Sequence, residues 1–150
     1  MVPAQASFLT LFAMQNVVKN GTARRLQSQF ANLHLAGKTG TTNNARDTWF
    51  VGIDGNNVAT VWLGRDDNGK TKLTGSSGAL RVYQSYLQRA TVMPLILNTP
   101  TDIQWAGINP KGEWTCNTSP KYPVWTNNSN FCHGDKSAPS KKTSIWDFFN

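Results

Sequence analysis

Leu35-Ala-Gly-Lys-Thr-Gly-Thr-Thr-Asn-Asn-Ala-Arg-Asp-Thr-Trp-Phe50 joins two strand patterns through a polar turn, and the rest of the chain is arranged around it. Residues 33–42 form the first predicted strand, whose glycines indicate that another backbone or a ligand approaches closely. Residues 48–53 form the second, because Trp49, Val51 and Ile53 alternate with residues of the opposite face. We therefore expect a sheet whose first strand has a crowded backbone.

A hairpin follows the second strand. Asp54-Gly-Asn-Asn57 is a strong signal for a tight turn between two strands. Residues 58–63, which come next, are β-branched and aromatic and are predicted to form a third strand. Three consecutive strands with short links predict an antiparallel meander.

Helical patterns flank this meander. Residues 4–20 carry apolar side chains at spacings of three and four, which predicts a helix that ends at the stop signal Lys19-Asn-Gly21. Thr22 is predicted to cap a second, short helix through residues 24–26. After a polar loop over residues 64–75, Ser76-Ser-Gly78 is predicted to cap a closing helix that runs through Leu87.

The composition changes at residue 99. Four of the six tryptophans lie beyond it, among many Asn, Ser and Pro residues, and the loss of periodicity predicts an irregular tail. We predict one domain part over residues 1–98 and an extension over 99–150 with a loose end. The fold class is therefore α+β: a helix, a three-stranded antiparallel meander, a closing helix and an irregular tail.

The bulk composition bounds the partners. The chain has 150 residues, enough for one domain, and a net charge of +7 from 15 basic and 8 acidic residues. Such a charge favours anionic partners, or simply serves solubility. No basic run exceeds two residues, so a nucleic-acid partner is not expected. No apolar run approaches the roughly 18 residues of a membrane span, and no signal-peptide pattern is present; any export signal or anchor is expected outside this chain.

The two cysteines, Cys116 and Cys132, enclose a segment rich in Pro, Asn, Ser and Thr. Zinc sites require closer Cys spacing and four ligands, and His133 is the only other candidate nearby, so no metal is expected. A disulfide would close this loop and stabilise it by roughly 3 kcal/mol, and it would indicate an oxidising compartment. The alternative is two unrelated thiols in a reducing cell. We predict the bond for exported material.

Two segments resemble a phosphate-binding loop, and neither fits. Gly37-Lys38-Thr39 lacks the preceding glycine, because position 32 is Asn32. The segment from Gly64 to Thr71 matches the pattern literally, but Asp66 and Asp67 would place carboxylates where polyphosphate should lie, and no helix follows directly. A nucleotide site is not expected.

The triplet at residues 38–40 has a different chemical meaning. Strand alternation puts Lys38 and Gly40 on one face and Thr39 and Thr41 on the other. Beside a cleft, Lys38 would offer a positive charge and the two hydroxyls would donate hydrogen bonds to a substrate carboxylate. Gly40 would leave room for substrate, and the Thr41 N–H would face a developing oxyanion. The alternative is a glycine-weakened edge strand with a solvated lysine.

The segment from Leu35 to Asn44, with the following Asp47-Thr-Trp-Phe-Val-Gly-Ile53, closely resembles the third conserved box of class A penicillin-binding proteins. Residues 14–25 resemble the helix before that box, and Trp62-Leu-Gly-Arg-Asp66 and Gly75-x-x-Gly-Ala79 match after it. Pro123-Val-Trp125 resembles the C-terminal extension of the family's 1B branch in Gram-negative bacteria. The resemblance covers nearly the whole chain.

This resemblance implies the serine β-lactamase/transpeptidase-like fold, with a five-stranded antiparallel sheet between helical layers. It implies that Lys38 supplies electrostatics and proton traffic, that Thr39, Gly40 and Thr41 bind the substrate, and that the Thr41 N–H belongs to the oxyanion hole. The substrates would be peptidoglycan stem peptides, β-lactams would trap the acyl-enzyme, and no cofactor is implied.

The resemblance also implies a larger parent protein. Such proteins carry a glycosyltransferase domain and a membrane segment upstream and work on the periplasmic side of the bacterial inner membrane. An outer-membrane lipoprotein activator or cell-division proteins would be partners of the parent.

The chain departs from the family pattern at the nucleophile. None of its serines begins a Ser-x-x-Lys or Ser-x-Asn box, which supply the nucleophile and its proton partners in that family. We therefore expect a C-terminal fragment of a bifunctional peptidoglycan synthase, inactive alone, with one sheet edge left unpaired. The alternatives are a non-catalytic binding module that uses the Trp-rich tail, and a fragment of a serine β-lactamase.

Overall fold

The computed structural model describes residues 1–128 and residue 131, which group into two compact units. The central unit is Thr10–Asn98, and the terminal unit comprises Met1–Leu9 and the described residues from Thr99 on. The helices are α1 (Ala4–Asn20), α2 (Gln27–Phe30) and α3 (Ala79–Leu87), and the strands are β1 (Ala36–Thr41), β2 (Thr48–Ile53), β3 (Val58–Leu63), β4 (Ile103–Ile108), β5 (Trp114–Thr115) and β6 (Tyr122–Trp125). Short 3-10 turns cover Arg24–Leu26, Ala31–Leu33 and Asn43–Ala45. The predicted boundary at residue 98 separates a domain part from a C-terminal extension, and this functional assignment of the two parts stays a prediction.

The central unit is built on the predicted meander. Its strands pair antiparallel in the order β1-β2-β3, and β2 and β3 have the predicted bounds. The turn between them is held by Asp54, whose Oδ1 accepts the N–H groups of Asn56 and Asn57. The strand β1 starts at Ala36 rather than at residue 33, because Ala31–Leu33 form a 3-10 turn that His34 closes in a left-handed conformation.

One face of the sheet is buried and carries the core. Phe50 on β2 is 0% exposed and its ring lies 4.9 Å from that of Tyr83 on α3. Burial, with the nearby charge of Asp54, raises the pKa of Tyr83 well above its ordinary value, so the phenol is neutral. The fully packed members of this core are Val18, Ala23, Leu26, Leu35, Phe50, Ala79, Leu80, Tyr83 and Leu87.

The start of α3 is held by the sheet and not by its own serines, so the predicted serine cap is wrong. Thr48 Oγ1, buried on β2, accepts the Ala79 N–H at 3.2 Å. Ser77 instead exchanges hydrogen bonds with Thr74 in the preceding loop. The predicted cap by Thr22 is also wrong, because residue Ala23 precedes the 3-10 turn and no side chain caps it.

Replacing Thr48 with valine should lower the free energy of unfolding by about 1–2 kcal/mol. The change keeps the shape of the side chain but leaves the buried Ala79 N–H without its acceptor. Thr60→Val is the matched control, because Thr60 lies exposed on β3. Urea unfolding followed by circular dichroism measures both variants, and equal stability for the two would contradict the role assigned to the Thr48 hydroxyl.

The described part of the tail is not irregular, which corrects the prediction for residues 99–128. In the terminal unit, β4 pairs antiparallel with β5 on one side and with β6 on the other. Ile103 and Ala106 of β4 are buried, and the ring of Trp105 meets that of Phe8 edge-on at 6.4 Å. The sequence did not predict this sheet because most of its strands are short. Neither β5 nor β6 is long enough to show a run of alternating apolar and polar residues.

The predicted disulfide is described at one end. Cys116 follows β5 and is disulfide-bonded, and its sulfur lies 3.2 Å from the carbonyl oxygen of Phe131. Cys132 lies outside the described residues, so the Cys116–Cys132 pairing stays a prediction. Among residues 1–128 and 131, no helix is long and apolar enough to cross a membrane, and no cluster of side chains suits a metal ion.

Candidate functional site

The site predicted from the sequence lies on β1, at an edge of the central sheet. Within the described residues β1 pairs only with β2, so its outer side faces no strand. Lys38 is exposed, and its Nζ donates to the carbonyl oxygen of Thr39 at 2.7 Å. The ammonium group therefore lies close to the strand edge and keeps two further protons for other acceptors.

The two threonine hydroxyls are oriented by neighbouring segments. Thr39 Oγ1 lies 2.8 Å from Thr22 Oγ1, just beyond the end of α1. Thr41 Oγ1 accepts the N–H of Gly75 at 2.9 Å. A hydroxyl that accepts one hydrogen bond still has its proton to donate, so the exposed Thr41 hydroxyl has a proton available for another acceptor.

Gly75 brings the loop before α3 against the backbone of β1. A Cβ at this position would lie 2.7 Å from the carbonyl oxygen of Gly40 and 2.8 Å from Thr39 Cβ. Only glycine fits at position 75, so the loop backbone can approach β1 closely. The glycine of β1 with the tightest surroundings, Gly37, is instead packed against Phe50 of β2. The segments that hold Thr22 and Gly75 matched the family pattern in sequence, but only the fold shows that they orient the two hydroxyls.

The backbone N–H of Thr41 points to the open edge of the sheet. Thr42 N–H donates to the carbonyl oxygen of Asp47 at 3.1 Å, in the same register that pairs Thr41 with Thr48. N–H directions alternate along an antiparallel strand, so the N–H of Thr41 is directed away from β2. This is the direction that an oxyanion-binding donor requires.

Lys38 and the hydroxyls lie on different faces of β1, as strand alternation predicts. Lys38 is in register with Val51 and Thr60 on the open face of the sheet. Thr39 is in register with Phe50, on the face that packs against the helices. A ligand could therefore touch all three groups only at the strand edge itself.

Asp47 holds the end of β1; the sequence placed it in the run that resembles the family but assigned it no role. Its Oδ1 accepts the indole N–H of Trp62 at 3.1 Å, and its Oδ2 accepts the hydroxyl of Thr42 at 3.1 Å. The rings of Trp49 and Trp62 lie 6.2 Å apart on the same face. Asp47 thus ties the strand edge to β3, and its acidity alone gave no signal for this role.

In the loop at residues 64–71, which matches the phosphate-loop pattern, hydrogen-bond donors of the loop bind the carboxylate of Asp67. Asp67 Oδ1 accepts from Arg65 Nε at 2.8 Å and from the Gly69 N–H at 3.0 Å. These bonds lower the pKa of Asp67 to about 2. Asp67 is therefore ionised at neutral pH and would compete with a phosphate for the loop's donors; that no nucleotide binds here stays a prediction.

Comparison with known proteins decides the family. Penicillin-binding protein 1B of Haemophilus influenzae is 55% identical over 98% of this chain, and that of Escherichia coli is 54% identical over 83%. The family described as "Penicillin-binding protein 1B, C-terminal domain" matches residues 102–136. The chain belongs to the penicillin-binding protein 1B family. This confirms the resemblance found in the sequence.

The chain spans only a part of these relatives. It covers 20% of the penicillin-binding protein 1B from H. influenzae and 15% of that from E. coli. The crystal structure of penicillin-binding protein 1A from H. influenzae superposes with a TM-score of 0.69 over 85% of this chain and 21% of that chain, at 23% identity. This likeness confirms the α+β fold predicted from the sequence.

Proposed function

We propose that this chain forms one wall of the transpeptidase cleft of a bifunctional peptidoglycan synthase. The observation that carries the proposal is the edge of β1, where the Thr41 N–H faces outward beside two oriented hydroxyls. The parent protein would cross-link stem peptides by acyl transfer from a serine, with a glycosyltransferase domain upstream. The chain alone would not carry out this reaction, because it has neither a Ser-x-x-Lys nor a Ser-x-Asn box.

Each residue of the edge has a distinct role in this proposal. Lys38 lowers the energy of the anionic intermediate and passes protons, as a fixed cation does in a partly desolvated cleft. Thr39 and Thr41 donate to the carboxylate of the stem peptide or of a β-lactam, and Gly40 lets the substrate lie against the strand. The Thr41 N–H donates to the oxyanion that forms when the serine attacks the carbonyl.

Fluorescent penicillin tests the proposal directly. The 150-residue chain should take no covalent label, whereas the longer protein that contains the serine boxes should be labelled and should lose the label when that serine becomes alanine. Covalent labelling of the short chain would contradict the assignment of the nucleophile to another part of the protein. Absence of label on the longer protein would overturn the proposed function.

A second candidate function is a binding module in the terminal unit. Trp105, Tyr122 and Trp125 leave 37%, 39% and 41% of their surface exposed, and exposed aromatic side chains are common at interfaces. Deleting residues 99–150 from the parent distinguishes the two candidates: loss of a partner with cross-linking intact would assign binding to the tail. The third reading, a β-lactamase fragment, is disfavoured by the relatives, which are penicillin-binding proteins.

The cellular setting follows from the same proposal. The parent would act on the periplasmic side of the inner membrane through an anchor outside this chain. Peptidoglycan stem peptides and β-lactams would be its ligands, and a lipoprotein activator of the outer membrane or cell-division proteins would be its partners. An oxidising periplasm also suits the predicted bond between Cys116 and Cys132.

A further inference from the structure

A basic cavity lies beside the candidate site in the central unit. It has a volume of about 600 Å³, and its walls come from the segment after α1 and from the start of α3. Its polar lining consists chiefly of arginines and hydroxyls: Arg24, Arg25, Arg81, Thr22, Ser76 and Ser77. No acidic residue lines it.

The three arginines of this cavity have no carboxylate partner within the described part of the chain. The salt bridge found there joins Arg65 and Asp67, in a different loop. Arg24, Arg25 and Arg81 are exposed, so their guanidinium groups are available to a ligand. Three like charges around one cavity repel one another, and a bound anion would relieve this repulsion.

The backbone at the start of α3 cannot supply the donors for such an anion. Its first N–H groups already bond within the protein: that of Ala79 to Thr48, that of Leu80 to Gly75, and that of Arg81 to Gly78. Recognition would therefore fall on side chains. Arginine suits this task, because its planar fork pairs with two oxygens of a carboxylate at once.

One hydrogen bond links a residue that lines the cavity to the candidate site. Thr22 lines the cavity, and its hydroxyl lies 2.8 Å from that of Thr39 on β1. Ser76 and Ser77 also line the cavity and directly follow Gly75, whose N–H donates to the Thr41 hydroxyl. The segments that orient the two threonines are thus the segments that form the cavity.

We infer that this cavity is a second anion subsite, which holds another carboxylate of an acidic peptide whose terminal carboxylate lies on Thr39 and Thr41. The identity of the ligand as a peptide rests on the proposed function. Substrates with a single carboxylate, and β-lactams bound only at β1, would leave the cavity empty. The subsite would thereby select for acidic side chains in the peptide.

Calorimetric titration of the longer protein that contains the serine boxes with tri-glutamate tests the inference, with tri-alanine as the neutral peptide and inorganic phosphate as the alternative oxyanion. We expect tri-glutamate to bind, and Arg81→Gln and Arg24→Gln each to weaken it about tenfold. Arg89→Gln is the matched control: Arg89 is exposed in the same unit and does not line the cavity. It should change the affinity by less than about twofold.

Each other outcome contradicts the inference. Equal weakening by Arg89→Gln would show that net charge, and not the cavity, attracts the peptide. Tighter binding of phosphate than of tri-glutamate would overturn the assignment to carboxylates, and no binding of either would remove the subsite. Penicillin labelling of the longer protein reports only on the serine and β1, whereas the peptide titration reports on the cavity. Failure of the proposed function and failure of the anion subsite are therefore distinguishable.

Discussion

Replacing Gly52 with alanine should destabilise the central unit by about 3 kcal/mol, an overpacking cost at the upper end of those seen in cores. Gly52 lies in β2, between the two other strands of the meander. A Cβ there would fall 2.2 Å from Cζ of Tyr83, which is 1% exposed and cannot turn away. Chemical unfolding of the chain measures the loss.

A double-mutant cycle with Tyr83→Val provides the control for this prediction. Removing the ring costs stability by itself, because it leaves a cavity beside Phe50. The additional cost of Gly52→Ala should then shrink to within about 0.5 kcal/mol, since the added methyl group would no longer meet the ring. An undiminished cost in the Tyr83→Val background would show that Gly52 is required for a reason other than its contact with Tyr83.

Lys38→Ala should slow acylation of the parent protein by fluorescent penicillin about 100-fold or more, the range found when a positioned acid–base or electrostatic group is lost. The expected slowing does not depend on unfolding. Lys38 is exposed, and the hydrogen bond seen for its ammonium group goes to the adjacent Thr39 carbonyl. The rate of labelling under single-turnover conditions is the measurement, with thermal unfolding of the same variant alongside.

Lys70→Ala is the matched control for Lys38. It removes the same charge from an exposed position in the loop after β3. Acylation by this variant should match that of the unchanged protein. If Lys38→Ala acylates as fast as Lys70→Ala, the catalytic role of Lys38 is wrong, and the alternative of a solvated lysine on an edge strand is correct.

The local patterns near the meander were predictable because each depends on neighbouring residues. The bounds of β2 and β3 follow from alternation on either side of a turn that Asp54 itself holds. The length of α1 follows from apolar spacing and a glycine stop. The family was also readable, since its third box is a short contiguous run.

The caps and the tail were not predictable, because their partners are distant in sequence. Ala79 takes its acceptor from Thr48, 31 residues earlier, and no pattern around Ser76 indicates this. The strands of the terminal unit are as short as two residues, too few for alternation to appear. Asp47 accepts the indole N–H of Trp62 because the pairing of β2 with β3 brings the two residues close together.

The sequence alone determined that a lysine and two threonines share one strand pattern and that the chain has no Ser-x-x-Lys or Ser-x-Asn box; that these groups form half of a transpeptidase site stays a proposal. The tertiary structure alone decided how these groups are presented. It directs Thr22 and Gly75 onto the hydroxyls and gathers three arginines around the neighbouring cavity. The physical reason is that hydrogen bonds and charges act over a few ångströms in space, and folding brings into that range residues that lie tens of positions apart in the chain.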